Sequence, residues 1–96
     1  EVKVLHPESS VTRELILVKL KAKASERQGI IATADIFRAK IVDVSKESLT
    51  IELTGNQTKI EAFLSLLGKD NIIEMVRTGV TGLERGSEAR GEMWDD

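Results

Sequence analysis

The chain has 96 residues, a formal net charge of -2, no cysteine and one proline. This length fits one small domain, and the slightly acidic balance argues against nucleic acid or an anionic membrane as the main partner. The lack of cysteine removes disulfides and thiolate catalysis, and no apolar run approaches the roughly 20 residues that a membrane-spanning helix needs.

The first eleven residues differ in character from those that follow. Residues 1–5 alternate like a short strand, and Pro7 stands in a polar stretch that is typical of a linker. We therefore expect residues 1–11 to be the end of a preceding domain and a linker. Residues 12–82 are expected to form the domain itself, and residues 83–96 a charged, glycine-rich tail that lacks the apolar content to fold alone.

The clearest strand is predicted from Thr12 to Lys23, where apolar residues alternate. Alternation places one set of side chains in the core. The opposite face is apolar at Leu15 and Leu17 and basic further on, which indicates that another subunit or domain covers its apolar end. The residues expected to face the core are Ile16, Val18, Leu20 and Ala22.

A helix and a β-hairpin are predicted next. Ser25 and Gln28 have capping-box spacing, so the helix is predicted to start there and to run to about Arg38. The β-branched and alternating runs that follow predict strands at Lys40–Ser45 and Leu49–Thr54. Phe37 stands at the junction of helix and strand, where we expect it to anchor the last helical turn on the sheet.

A second helix and a last strand complete the pattern. Asn56 is a predicted N-cap, and Gly68 suits the position that ends the helix. The last strand is predicted at Asn71–Thr78. The helical stripe between the two caps is formed by Ile60, Phe63, Leu64 and Leu67.

The order β-α-β-β-α-β predicts an α+β, ferredoxin-like fold, a four-stranded antiparallel sheet with two helices on one face. Its other face is then open, and we expect a homodimer that uses this face or an edge strand. An RNA-binding module shares the same order but stacks bases on aromatic residues of its sheet. This predicted sheet has no aromatic residue, so that interpretation is disfavoured.

No catalytic constellation is present in the sequence. His6 is the only histidine and lies in the linker, and Asp95 and Asp96 lie in the tail, where nothing would raise a carboxyl pKa. There is no Walker loop and no dinucleotide fingerprint. We therefore predict no catalytic, cofactor-binding or metal-binding residue in this chain.

Four stretches resemble the C-terminal domain of the small, regulatory subunit of acetolactate synthase (acetohydroxyacid synthase). They are Arg13–Lys19, Ile36–Val44, Thr50–Gly55 and Val76–Leu83, in the order and spacing of that family. The resemblance implies a ferredoxin-like fold that follows an ACT domain, and residues 1–5 resemble the end of the last ACT strand. We therefore expect the native polypeptide to continue upstream of Glu1.

The resemblance implies a regulatory function in branched-chain amino acid biosynthesis. Small subunits of this family bind the large catalytic subunit, a thiamine-diphosphate-dependent transferase, raise its activity and confer feedback inhibition by valine. Thiamine diphosphate, magnesium and FAD are expected on the large subunit, and valine on the ACT domain, so none is assigned to a residue here. The expected location is the cytoplasm, or an organelle stroma if the source is a plant.

Five residues are predicted to contact the large subunit, because they stand at strand ends or on the outer sheet face. They are Arg13, Leu15, Leu17, Arg77 and Thr78. The alternative function is a self-contained, ACT-like module that senses an amino acid at its own dimer interface. Its site would lie in the glycine-rich turns around Gly79 and Gly82.

Overall fold

A computed structural model describes residues 10–84 of the chain. A 3-10 turn at Lys69–Asn71 precedes the strand Ile72–Arg77. The predicted end of an ACT domain, His6, Trp94 and the two C-terminal aspartates lie outside the described residues. The main elements are β1 (Ser10–Lys21), α1 (Ala24–Ile36), β2 (Lys40–Val44), β3 (Ser48–Gly55), α2 (Gln57–Leu67), β4 (Ile72–Arg77) and β5 (Thr81–Glu84).

The sheet is antiparallel and has the strand order β2-β3-β1-β4. β1 is central, because β3 pairs with one of its edges and β4 with the other. β5 pairs with the Ser10–Arg13 part of β1 and continues along the edge that β4 occupies. Both helices pack on one face of this sheet, which confirms the predicted ferredoxin-like α+β fold.

The hydrophobic core lies between the helices and one face of the sheet. The four residues predicted to face inward are each at most 1% exposed, which confirms the alternation, although Ala22 lies one residue beyond the end of β1. Phe37 packs against this core with its ring centroid 5.2 Å from that of Phe63, so it does anchor the end of α1. The fully buried helical partners of the sheet are Ala34, Ile60, Phe63 and Leu67.

The helix ends follow from local hydrogen bonds. Asn56 caps α2 as predicted, because its Oδ1 accepts the Lys59 backbone N–H at 2.8 Å. The predicted cap of α1 is wrong, since the helix begins at Ala24 with Lys23 as its N-cap residue. The Glu26 carboxylate accepts the Lys23 backbone N–H at 3.0 Å and so replaces the predicted pair of Ser25 and Gln28.

Several element ends also differ from the predicted ones. β1 ends at Lys21 and not at Lys23, and β2, β3 and β4 differ by one residue at one or both ends. α1 ends at Ile36 and not at Arg38, because Arg38 takes a φ of 60°, which a right-handed helix does not allow. β1 begins at Ser10, two residues before the predicted start. β5 was not predicted at all, and its last two residues fall in the predicted tail. Its Thr-Gly-Leu-Glu sequence has little strand pattern, and its pairing comes from β1.

Phe63 is fully buried in the core. Phe63→Ala therefore removes a large apolar side chain and leaves a cavity among its neighbours. We expect the free energy of unfolding to fall by about 3–5 kcal/mol, measured by chemical denaturation. Ile36→Ala is the control, because Ile36 is 77% exposed, and its effect should stay within about 0.5 kcal/mol. Equal effects of the two variants would contradict this description of the core.

Candidate functional site

The face of the sheet that the helices leave open carries a continuous apolar row. Residues paired across an antiparallel ladder share a face, so Val76 lies beside Leu17 on this open face. Leu17 is 37% exposed and Val76 is 57% exposed. Together with Lys19, Thr50, Glu74 and Met75, these two line a shallow hollow of about 200 Å³.

The apolar row continues onto the two-stranded ribbon that β5 forms with the start of β1. Val11 pairs with Leu83 and Arg13 with Thr81, and both β1 residues share the open face with Leu15 and Leu17. A second shallow hollow, of about 430 Å³, lies here and is lined by Val11, Arg13, Thr81, Gly82 and Leu83. The open face therefore combines exposed apolar side chains with a single arginine at the ribbon.

A buried carboxylate lies at the junction of the ribbon and the body of the sheet. Glu14 is 5% exposed and accepts two hydrogen bonds from Arg77, at 2.7 Å from Nη2 and 3.0 Å from Nε. Its carboxylate also accepts the Gly79 backbone N–H at 3.2 Å. The hydrogen bonds from Arg77 hold the pKa of Glu14 below its ordinary value, with the arginine charge and Gly79 N–H acting in the same direction.

On its other side the same junction is held by two hydrogen bonds between Thr78 and the backbone of Leu15. Thr78 donates its N–H to the Leu15 carbonyl at 3.0 Å, and its hydroxyl accepts the Leu15 N–H at 3.1 Å. Gly79 then takes a φ of 88°. Glycine adopts this conformation readily because it has no Cβ atom to clash with the backbone. This residue lets the chain leave β4 and rejoin β1 as β5.

The five predicted contact residues fall into two groups in the structure. Arg13, Leu15 and Leu17 lie on the open face, as the alternation on β1 requires. Arg77 pairs with Ile16 and so points to the helix side, where it reaches Glu14 and, at 3.6 Å, Glu61 of α2. Thr78 is exposed, but its hydroxyl is bound to the backbone of Leu15.

Two residues, Val76 on the open face and Glu14 at the junction, were not predicted from the sequence. Val76 was assigned to a strand but not to the open face, because a register shift in β4 near Ile73 hides its parity. Glu14 was not singled out, although its parity with Ile16 places it on the core side. Its partner Arg77 is 63 residues away, so no local pattern indicates the pair.

The described residues offer no evident reactive centre. Within residues 10–84, no group of three or more histidine, cysteine, aspartate or glutamate side chains is placed to hold a metal ion. None of the helices in this part of the chain is long and apolar enough to cross a membrane.

Comparisons with known proteins identify relatives along most of the chain. A family model described as the small subunit of acetolactate synthase matches residues 13–86. A probable acetolactate synthase small subunit of Methanothermobacter thermautotrophicus is 50% identical over 88 residues, which cover 91% of this chain and 52% of that protein. A chloroplastic acetolactate synthase small subunit 2 of Arabidopsis thaliana is 49% identical over 92 residues, 96% of this chain and 19% of that protein.

A solved structure agrees with these relatives. The crystal structure of an acetolactate synthase small subunit from Thermotoga maritima matches with a TM-score of 0.77 and 41% identity. The match covers 83% of this chain and 49% of that one. The chain thus spans about half the length of most of the relatives it matches, and less of the plant protein.

Glu14→Gln removes the charge of the buried carboxylate and keeps its size. Because the folded pKa of Glu14 lies below its ordinary value of 4.5, its charge stabilises the fold above that pH. This contribution is lost as the pH falls through the folded pKa. We expect E14Q to lower Tm at neutral pH and the two Tm curves to converge in acid, followed by circular dichroism.

The control for this measurement is Glu47→Gln, at an exposed position between β2 and β3, which should change Tm at neutral pH only slightly. If the difference in Tm between E14Q and wild type stays constant down to strongly acid pH, the charge of Glu14 is not the cause of the lower Tm.

Proposed function

Because the chain belongs to the family of acetolactate synthase small subunits, and matches its C-terminal region, we propose that it binds the catalytic large subunit of acetolactate synthase and raises its activity. The observation that carries this proposal is the open sheet face with its apolar row. A protein of this size gains stability when such a face is covered. The name of the relatives as small subunits supports a regulatory, non-catalytic role for this chain.

The open face has the composition of a protein-contact surface. Apolar residues run along it from the ribbon at Leu83 to Leu17 and Val76. Two charged residues, Lys19 and Glu52, lie beside Leu17 on the same face. Because the buried core of a protein interface is commonly apolar, we propose that the apolar row supplies most of the binding energy.

The predicted contact residues receive different roles in this proposal. Leu17 and Leu15 are proposed to pack directly against the large subunit, and Arg13 to meet an acidic or carbonyl group at the rim. Arg77, which points to the helix side, and Thr78 remain predicted contacts at the end of β4. Their present bonds to Glu14 and Leu15 also let them hold the shape of the face on which the partner docks.

The whole small subunit is proposed to work by population shift. Valine bound to an upstream ACT domain would favour one of two arrangements of the small subunit against the large subunit, by differential affinity. Thiamine diphosphate, magnesium and FAD are proposed to reside on the large subunit, and the small subunit is proposed to be a homodimer. We propose the cytoplasm as its location, or an organelle stroma in a plant.

Leu17→Asp, introduced into the full small-subunit polypeptide that contains this chain, places a charge in the apolar row beside Val76. We expect at least a tenfold weaker half-maximal activation of the large subunit, or about 1.4 kcal/mol of binding, because the charge is desolvated on contact. Acetolactate formation is measured while the small subunit is titrated, with and without valine.

The matched control is Leu66→Asp. Leu66 is 67% exposed on α2, on the opposite side of the sheet, so the same chemical change should leave activation unaltered. If the wild-type small subunit itself fails to activate the large subunit, the proposed function is wrong. If both variants activate normally, the function stands but the open face is not the contact.

A second candidate, amino-acid sensing within this domain, is kept because a hollow lies beside Gly82. An amino acid needs a group for its carboxylate and another for its ammonium. Arg13 could bind the carboxylate, but no acidic side chain lines that hollow among the described residues. This surface therefore favours a contact domain over a sensor.

Calorimetric titration of the 96-residue chain with valine, leucine and isoleucine separates the two candidates. We expect no saturable heat, because the hollow lacks a carboxylate for the ligand ammonium group. The full small subunit, titrated with valine in parallel, is the positive control. Saturable binding to the 96-residue chain would favour the sensor.

A further inference from the structure

The ribbon of β5 and the start of β1 is attached to the body of the sheet at one end only. Among the described residues, β1 pairs with β3 from Glu14 onward and with β4 from Ile16 onward. The preceding residues of β1, 10–13, pair with β5 alone. A two-stranded ribbon is only marginally stable by itself in water. The position of this ribbon therefore depends on the junction that joins it to the sheet.

The hydrophobic core does not extend into the ribbon. None of residues 10–13 or 81–84 is among those that form the core or pack against it. On the helix side of the sheet the ribbon carries Thr12 and Gly82, which have no large apolar group. On the opposite side Leu83 is 72% exposed. Apolar packing therefore does little to hold the ribbon against the body of the domain.

Gly79 lies where the chain leaves β4 for the ribbon. Its φ of 88° belongs to a region that glycine occupies readily, and a Cβ atom at this position would meet nothing within 4 Å. Packing on that side therefore does not restrain the backbone. The restraint is a hydrogen bond, since the Gly79 N–H donates to Oε2 of Glu14 at 3.2 Å.

The carboxylate of Glu14 connects β1 to two further parts of the chain. Its Oε2 accepts Nε–H of Arg77 at 3.0 Å as well as the Gly79 N–H, and its Oε1 accepts Nη2–H of Arg77 at 2.7 Å. A carboxylate bound by two nitrogens of one guanidinium is fixed in direction as well as in distance. The same carboxylate thus sets the last residue of β4 relative to the turn that leads to β5.

The burial of this pair indicates a role beyond stability. Glu14 is the only charged side chain that is buried among the described residues. A buried ion pair often adds no net stability over apolar residues of similar volume, because both charges lose their water. Apolar side chains at these two positions would therefore fill the space as well, but they would give the Gly79 N–H no acceptor.

We propose that Glu14 and Arg77 are positioning residues that hold the ribbon at one angle to the sheet, with Gly79 as the hinge. When the pair is absent, the ribbon loses its fixed angle while the body of the sheet stays folded. This part of the proposal concerns the chain alone and needs no partner.

The fixed angle has a consequence for the open face. One half of that face is the ribbon, with Val11 and Leu83, and the other half is the row of Leu17 and Val76. A rigid partner meets both halves together only when the ribbon is held in place. Because that partner is the large subunit, this second step rests on the proposed function.

The first experiment removes both members of the pair, so that no unpaired charge is left behind. Glu14→Leu with Arg77→Met, made in the full small-subunit polypeptide, should keep a Tm close to that of wild type. Hydrogen exchange, followed by mass spectrometry, should become roughly tenfold faster in β5 and stay within about twofold of wild type in β3 and α2.

The matched control is Glu61→Gln. Nη1 of Arg77 lies 3.6 Å from the carboxylate of Glu61, which is 63% exposed, so this contact is weak. E61Q should therefore leave the exchange of β5 unchanged. If the double variant does not fold, E14Q takes its place, and the exchange of β5 is compared with that of β3 in the same sample.

The second experiment measures activation of the large subunit. Leu83→Asp alone should raise the small-subunit concentration for half-maximal activation roughly tenfold, and E14L–R77M alone should do the same. Leu83→Asp added to E14L–R77M should have no more than about a twofold further effect, because a ribbon without a fixed angle already contributes little. Glu14 and Leu83 lie on opposite faces of the sheet, so a purely structural role of the pair would give additive effects.

Three results would overturn the inference. Unchanged exchange in β5 would show that the pair does not hold the ribbon, and faster exchange throughout the domain would show that it only stabilises the fold. Additive effects of the Leu83 and Glu14–Arg77 changes would show that the angle does not matter to the partner. An inactive wild-type small subunit would instead count against the proposed function, and the exchange comparison would still decide whether the pair positions the ribbon.

Discussion

The pairing of β1 on both of its edges is the constraint on which the rest of the fold depends. β3 and β4 are registered against β1, and β5 is held only by it among the described elements. Because side chains alternate along β1, one strand contributes both to the core and to the open face. Ile16 and its equivalents build the core, whereas Leu17 and its equivalents form the open face, and a slip of one residue would exchange them.

The Glu14–Arg77 pair fixes the place where this strand leaves the body of the sheet. Desolvating a carboxylate is unfavourable unless hydrogen bonds replace its water, and here two bonds from Arg77 and one from the Gly79 N–H do so. In some proteins a buried ion pair contributes more to specificity of geometry than to net stability. At this junction such geometry sets the direction of the ribbon, and with it one end of the open face.

The sequence was sufficient for the fold because periods of 2 and 3.6 are strong signals on β1, β3 and α2. It failed where the deciding contact is not local. β5 pairs through backbone bonds to β1, and its own residues carry little pattern. The predicted α1 cap was wrong because Ser25 and Gln28 have the residue types of a capping box, whereas the N-cap residue is Lys23 and only the Glu26 half of such a box is formed by a side chain. The open face followed from alternation, but the position of Val76 beside Leu17 required the register.

The open face depends on the register of β4 as much as on the alternation of β1. Leu17 lies beside Val76 because β4 pairs with β1 in the register that opposes these two residues. This row alone is a small area for a stable interface with another protein. A partner that docks on it therefore needs the ribbon at Val11 and Leu83 as well, and the Glu14–Arg77 pair lies where that ribbon joins the sheet.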